Sequence, residues 1–230
     1  MIISGKEALD LDLKESSSSA GPDSFFNPSD IPAGGNVKMV FLGGIDGIVS
    51  WLQHNWWQVD RYGNNPGGYE VTRNVIFQSL KDSWTAPDEC DPGFIMGSNG
   101  QQRYGATVLV DTGSGVQEKI FFFTKSIWNG LVLVYRGMQA DFGDETDINE
   151  HWLRITNSGD GPNRYSVQFT GIPYKPAKGF TPKYNVRDFI KSHSFNDVVL
   201  MMREAGLPID EKLAERGLDE HGNKLEKVAE

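Results

Sequence analysis

The chain has 230 residues, 38% of them hydrophobic, enough for one good core with decoration or two small ones. Its single cysteine, Cys90, excludes an internal disulfide framework and a structural zinc site built mainly on cysteines. The formal charge of -9 argues against a nucleic-acid binder until its distribution is read. Residues 1–30 carry two Lys against six Asp/Glu, and residues 196–230 carry five Lys/Arg against nine Asp/Glu. Of the 22 Lys/Arg and 31 Asp/Glu overall, that leaves 15 against 16 for residues 31–195. The acidity belongs to the two ends, and the middle has room for a local basic groove.

No run of about 18 apolar residues reads as a membrane span. The opening MIISGKEALDLDLKESSSS lacks a basic start followed by an apolar run, so it does not read as a signal peptide. With one cysteine, the expected compartment is the cytoplasm.

In chain order, residues 1–24 read as a mobile arm, with order beginning near Phe25 and Phe26. Partial alternation from Asn36 to Leu42, stopped by Gly43-Gly44, predicts a strand. Between 45 and 102 the signals are mixed. Ile48–Leu52, Trp56–Val59 and Tyr69–Phe77 read as strands around a turn at Gly63–Gly68, and Ser83–Gly100 reads as loop. The clearest hairpin follows, Arg103–Val110 and Gln117–Phe123 around Asp111-Thr112-Gly113-Ser114-Gly115. Ile127, Trp128, Leu131, Val134 and Tyr135 then fall at helical spacing, predicting a helix over Lys125–Met138 with Thr124 or Ser126 as N-cap. An acidic loop, Asp141–Glu150, leads to a second hairpin, Trp152–Thr156 and Arg164–Thr170. Beyond Gly171, Pro173, Pro176 and Pro182 with Lys175, Lys178 and Lys183 make a basic, proline-spaced linker over 173–193. Ser194-Phe195-Asn196-Asp197 reads as a capping box opening a helix closed by Gly206 and Pro208. Asp210 is a candidate cap for a further short helix before the charged end, Glu220–Glu230.

The order strand, long excursion, strand, strand, helix, strand, strand matches a five-stranded OB barrel, which has its helix between strands three and four. On that reading the chain is mainly β. Residues 25–172 form the barrel, with a large insertion (45–102) between its first two strands, and 194–230 form a helical, acidic C-terminal tail. The insertion and the loop 157–163 would flank an oligonucleotide-binding face.

Phe121-Phe122-Phe123-Thr124-Lys125-Ser126-Ile127, the acidic loop with Asp147-Ile148, and Trp152-Leu153-Arg154-Ile155-Thr156 through Gly161 to Tyr165-Ser166-Val167 resemble tailed-phage single-stranded DNA-binding proteins. Gly35-Asn36-Val37-Lys38-Met39-Val40-Phe41-Leu42 is similar to their first strand, and the likeness covers about 36–170. The resemblance implies an OB fold and sequence-tolerant binding of single-stranded DNA during phage replication, recombination or repair in an infected bacterial cell. It also implies an acidic C-terminus that recruits phage or host replication enzymes, and self-association on DNA. Many of these proteins carry zinc in the long insertion. Here Cys90 has only His54 as a further soft ligand in that stretch, so no metal or other cofactor is carried over.

Single-strand binding requires aromatic faces for bases and cations for phosphates on one surface. The candidates are Trp56, Trp57, Arg61, Tyr62 and Arg73 in the insertion, where Trp51 and Trp84 also lie. Arg103, Lys119 and Phe121 are candidates on the central hairpin, and Trp152, Arg154 and Arg164 on the second. Trp56 and Trp57 cannot both point inward on a strand, so one is exposed or covered by a loop. Three consecutive phenylalanines also suit a strand buried on both sides, and the insertion aromatics equally suit the core of a small subdomain.

Other readings compete. The β-domain and C-terminal helices could assemble as a virion or scaffold structural protein. A nuclease would need acids such as Asp141, Asp144 and Asp147 around a metal, but Asp144-Glu145-Thr146-Asp147 lacks EF-hand spacing. His54, His151, His193 and His221 are scattered, without metal spacing or a serine partner, and the Gly-Gly pairs lack the Lys-Ser/Thr of a phosphate loop. The chain is therefore read as a non-enzyme.

Overall fold

The computed structural model describes residues 24–60, 63, 65–81, 90–113, 115–159, 161 and 164–225. Most of the expected N-terminal arm, Arg61, Tyr62, Trp84 and the last five residues of the acidic tail lie outside the described residues. The described chain is mainly β, with few helices. Its strands are β1 (Phe25–Phe26), β2 (Asn36–Phe41), β3 (Val49–Trp56), β4 (Val75–Gln78), β5 (Gln101–Asp111), β6 (Val116–Thr124), β7 (His151–Asn157) and β8 (Tyr165–Pro173). The α-helices are α1 (Pro92–Ile95), α2 (Lys125–Phe142), α3 (Phe195–Glu204) and α4 (Ile209–Glu215).

Two compact units emerge. One comprises residues 51–101 and 190–225, the other 24–50 and 102–189. The stretch expected as an insertion thus shares a unit with the C-terminal helices.

In the larger unit the strands run β1-β6-β5-β2-β7-β8, every ladder antiparallel except β1 on β6. The spatial order β7-β2-β5-β6 is a Greek key, and α2 lies in its long return connection. Among the described residues no ladder joins β6 to β8, so the sheet does not close. Instead the two residues of β1 pair in parallel with Ile120 and Phe121.

Register follows the hydrophobic pattern. Val37, Met39 and Phe41 sit opposite Ile155, Leu153 and Val108 respectively, and all are buried. Tyr104 and Ala106 sit opposite Phe123 and Phe121 on the same face. Against that face α2 lays Ile127, Leu131 and Met138, with Gly130 so close to β8 that a Cβ there would press on Val167. The helix runs four residues past its expected end, to Gly143 at φ 104. The opposite face carries Val40, Leu109 and Ile120, also buried. Phe121 and Phe123 thus face one way and Phe122 the other, where it packs on Phe25.

The acidic loop is structural. Asp147 accepts from the backbone N–H of Ile45 at 3.0 Å and of Ile148 at 2.6 Å, tying the loop after β2 to the entry of β7. Gly44, at φ +64, lies so close that an added Cβ would overlap the Asp147 carboxylate. Gly44→Ala is expected to cost about 2–4 kcal/mol through backbone strain and the displaced charged hydrogen bonds, read as a lowered urea midpoint.

In the smaller unit β3 and β4 form an antiparallel pair that buries Trp56, Val75 and Phe77. The sequence suggests two strands, Ile48–Leu52 and Trp56–Val59, where one continuous strand stands. The expected loop holds α1, capped by Asp91 accepting from Gly93 N–H. Helix α3 opens with the expected capping box, Ser194 accepting from the Asp197 N–H at 3.2 Å. Helix α4 begins after Pro208, so Asp210 lies inside its first turn rather than capping it. Together the helices present Val198, Val199, Met202, Ile209 and Leu213 to the β3–β4 aromatics.

Candidate nucleic-acid interface

In the smaller unit the sequence-selected residues are mostly engaged. Trp56 is fully buried, stacked on Phe77 at 6.4 Å between ring centres, and its Nε1 donates to the Pro66 carbonyl at 3.1 Å. It cannot stack on a base, because the apolar face of α3 and α4 completes a core around it. Trp57, one residue past the end of β3, is half-buried, its backbone N–H held by Asn65. Arg73 forms an ion pair with Glu204 at the end of α3, so it is not a free cation. The subdomain-core reading fits Trp56 better than the stacking one.

The same core holds a polar cluster that the sequence does not reveal. His54 Nδ1 lies 2.8 Å from Ser98 Oγ, and its Nε2 lies 3.4 Å from Asp91 Oδ2. Asp91 also accepts from Ser79 Oγ, from Leu80 N–H at 2.8 Å and from Gly93 N–H at 2.7 Å. So His54 does have a serine partner, contrary to the expectation from spacing. The order Ser-His-Asp resembles a hydrolase triad, but His54 and Asp91 are fully buried and Gly93 sits against the imidazole, leaving no place for a substrate. Burial alone would raise the Asp91 pKa. The hydrogen bonds and charge from His54, with those from Ser79 and Gly93, outweigh it and hold the carboxyl below the usual range.

On the central hairpin of the larger unit, Phe121 is fully buried in the main core and inaccessible to DNA. Lys119 pairs with Val108, so it shares that core-facing side at the far end of β6 rather than a binding face. Arg103, opposite Thr124, lies on the other face and is half-buried, and burial pushes its pKa down from the ordinary guanidinium value.

The second hairpin keeps its candidates outward. Leu153 and Ile155 are buried, which turns Trp152 and Arg154 to the opposite face, both half-buried. Arg154 stands directly opposite Lys38 of β2, a cation that the sequence alone does not single out. Among the described residues neither has a carboxylate within ion-pair reach, and Arg154 Nε is buried with no hydrogen-bond partner. Asp111, on the other side of Lys38, accepts from the Gly113 N–H instead. Trp152 meets Tyr174 edge to face at 6.1 Å. Arg164 does not join them. It lies a full strand length away, roughly 17 Å, over the ring of Tyr165 at 5.0 Å.

The basic, proline-spaced segment after β8 is packed onto the sheet. Tyr184 donates its N–H to Glu118 at 2.8 Å, its carbonyl accepts from Thr107 Oγ1 at 3.2 Å, and Val186 fills the notch at Gly105. Between this strap and the end of β2 lie two hollows of about 410 and 660 Å³ that share Leu42 and Pro182 as walls. Leu42 continues the row on which Lys38 and Val40 lie, so the hollows extend the same face.

Among the described residues no helix is long and apolar enough to cross a membrane, and no three His, Cys, Asp or Glu side chains cluster to hold a metal. The fold and its surface define a mainly β chain with an open Greek-key sheet bearing two facing cations, Lys38 and Arg154, that form no ion pair among the described residues. Neither family models, curated proteins nor solved structures match the chain.

Proposed function

We propose that the chain binds single-stranded DNA with little sequence preference, as an OB-type protein of phage replication, recombination or repair. The observation that carries this reading is the Lys38–Arg154 pair. Like charges directly opposite in a ladder are unfavourable, and a buried guanidinium nitrogen without a partner is more so. A bound strand that sets one phosphate against each cation relieves the repulsion, and Trp152 with Tyr174 offers aromatic surface beside them. The OB assignment draws on the strand order, with α2 between the third and fourth barrel strands. OB barrels are partly open, which accommodates the missing β6–β8 ladder.

The test is a gel shift with single-stranded and duplex DNA of equal length at two salt concentrations. Binding that favours the single strand, weakens steeply with salt and quenches tryptophan fluorescence is expected. A salt-insensitive oligomer indifferent to DNA would instead favour the structural, assembly role.

A further inference from the structure

We propose that the larger hollow beneath the strap is a nucleobase pocket, taking one unstacked base of the bound strand between Tyr174 and Phe180. The inference rests on the single-strand-binding reading and adds a site to it. At about 660 Å³ the hollow has the size of a small-molecule site, and Leu42, Pro176 and Pro182 give it mostly apolar walls. Aromatic faces amid aliphatic walls suit a planar heterocycle. Phe180 is 38% exposed, a large apolar ring left in contact with water at the rim.

Two further observations point to a base rather than a plain apolar ligand. First, Asn149, Glu150 and His151 line the hollow and bring polar groups to meet the donors and acceptors of a base edge. Second, Tyr174 is shared. Its ring touches Trp152, next to the Lys38–Arg154 pair, and also lines the hollow, so a strand held at the cations can continue into the pocket. The walls carry acids as well as bases, with Glu150 beside Lys175, so the pocket adds stacking rather than net phosphate attraction. The strap's role is then to build this site. It is held at one end by the Tyr174 N–H on the Glu150 carbonyl and pinned at the other at Tyr184 and Val186, with the exposed stretch Lys175–Pro182 between them.

The experiment compares the full chain with Phe180→Ala and Tyr174→Leu on two probes, an oligo-dT and an abasic oligomer with the same phosphate count. Phe180 lies at the surface, so its replacement leaves folding intact; Tyr174→Leu keeps an apolar side chain beside Trp152. Each variant is expected to lose about 5- to 150-fold in affinity for oligo-dT, the worth of one stacked base. Affinity for the abasic oligomer and the salt slope on oligo-dT should not change, because every cation that meets a phosphate is still in place. Variants that bind oligo-dT like the parent chain, or that lose equally on the abasic probe, overturn the pocket while leaving single-strand binding intact. Failure of the parent chain to bind oligo-dT at all overturns both.

Discussion

The double variant Lys38→Gln, Arg154→Gln is expected to bind single-stranded DNA with a salt dependence shallower by about 1.4 in the log–log slope, some 0.7 for each phosphate no longer neutralised. Over a rise from 50 to 200 mM salt, that difference alone makes the parent chain lose about sevenfold more affinity than the variant. Stability should change little. The two cations face each other across the β2–β7 ladder, and Lys38 also stands opposite Asp111 across the β2–β5 ladder, so the repulsion and the attraction that are removed, each worth roughly 0.2–1 kcal/mol, offset. Unchanged urea stability with a flatter salt slope is a combination that a merely structural pair would not produce. A slope equal to that of the parent chain, measured on the same oligonucleotide, would remove the observation on which the functional reading stands.

The pair also shows what a sequence can and cannot carry. Arg154 is legible, because alternation about the apolar Leu153 and Ile155 places it outward. Lys38 is not, because its importance comes from the β2–β7 register, and no local pattern states which strands become neighbours. Both hairpins and α2 are legible for the same local reason, being period-2 or period-3.6 runs bounded by turn or capping residues. The two-residue β1 has no period to read. Its parallel pairing with β6 occupies an edge of the sheet that no five-strand count anticipates.

Trp56 and Trp57 mark a second limit. Alternation along a strand requires them to point to opposite sides, but β3 ends at Trp56, and alternation cannot say which side is covered. That depends on α3 and α4, far along the chain, whose apolar faces reach β3 and β4 only in the fold. Phe121 is different. The three consecutive phenylalanines already suggest burial on both sides, and the alternation that turns Phe121 inward takes Lys119 with it. For the Ser98–His54–Asp91 cluster no spacing rule would serve, since its members lie on β3, before α1 and after α1.

That cluster carries the largest expected effect on stability. Asp91 is fully buried and receives Ser79 Oγ and the Leu80 and Gly93 N–H groups, with His54 Nε2 at 3.4 Å. Asp91→Ala leaves those donors buried without an acceptor and strips α1 of its N-cap, for an expected loss of about 3–5 kcal/mol. Urea unfolding followed by tryptophan emission reports it, since Trp56 lies in the same core. The pH dependence separates this cost from simple loss of packing. The carboxyl titrates below its ordinary value when folded, so the unfolded chain takes up a proton first as the solution is acidified. The ionic part of the stabilisation is therefore complete above about pH 5, begins to fade near the unfolded carboxylate value of about 4, and is lost as pH falls through the folded value. The gap in unfolding free energy between the parent chain and Asp91→Ala should be flat near neutrality and narrow on acidification. A gap that stays constant into acid, or that never exceeds about 1 kcal/mol, would mean that the buried carboxylate does not hold this unit together.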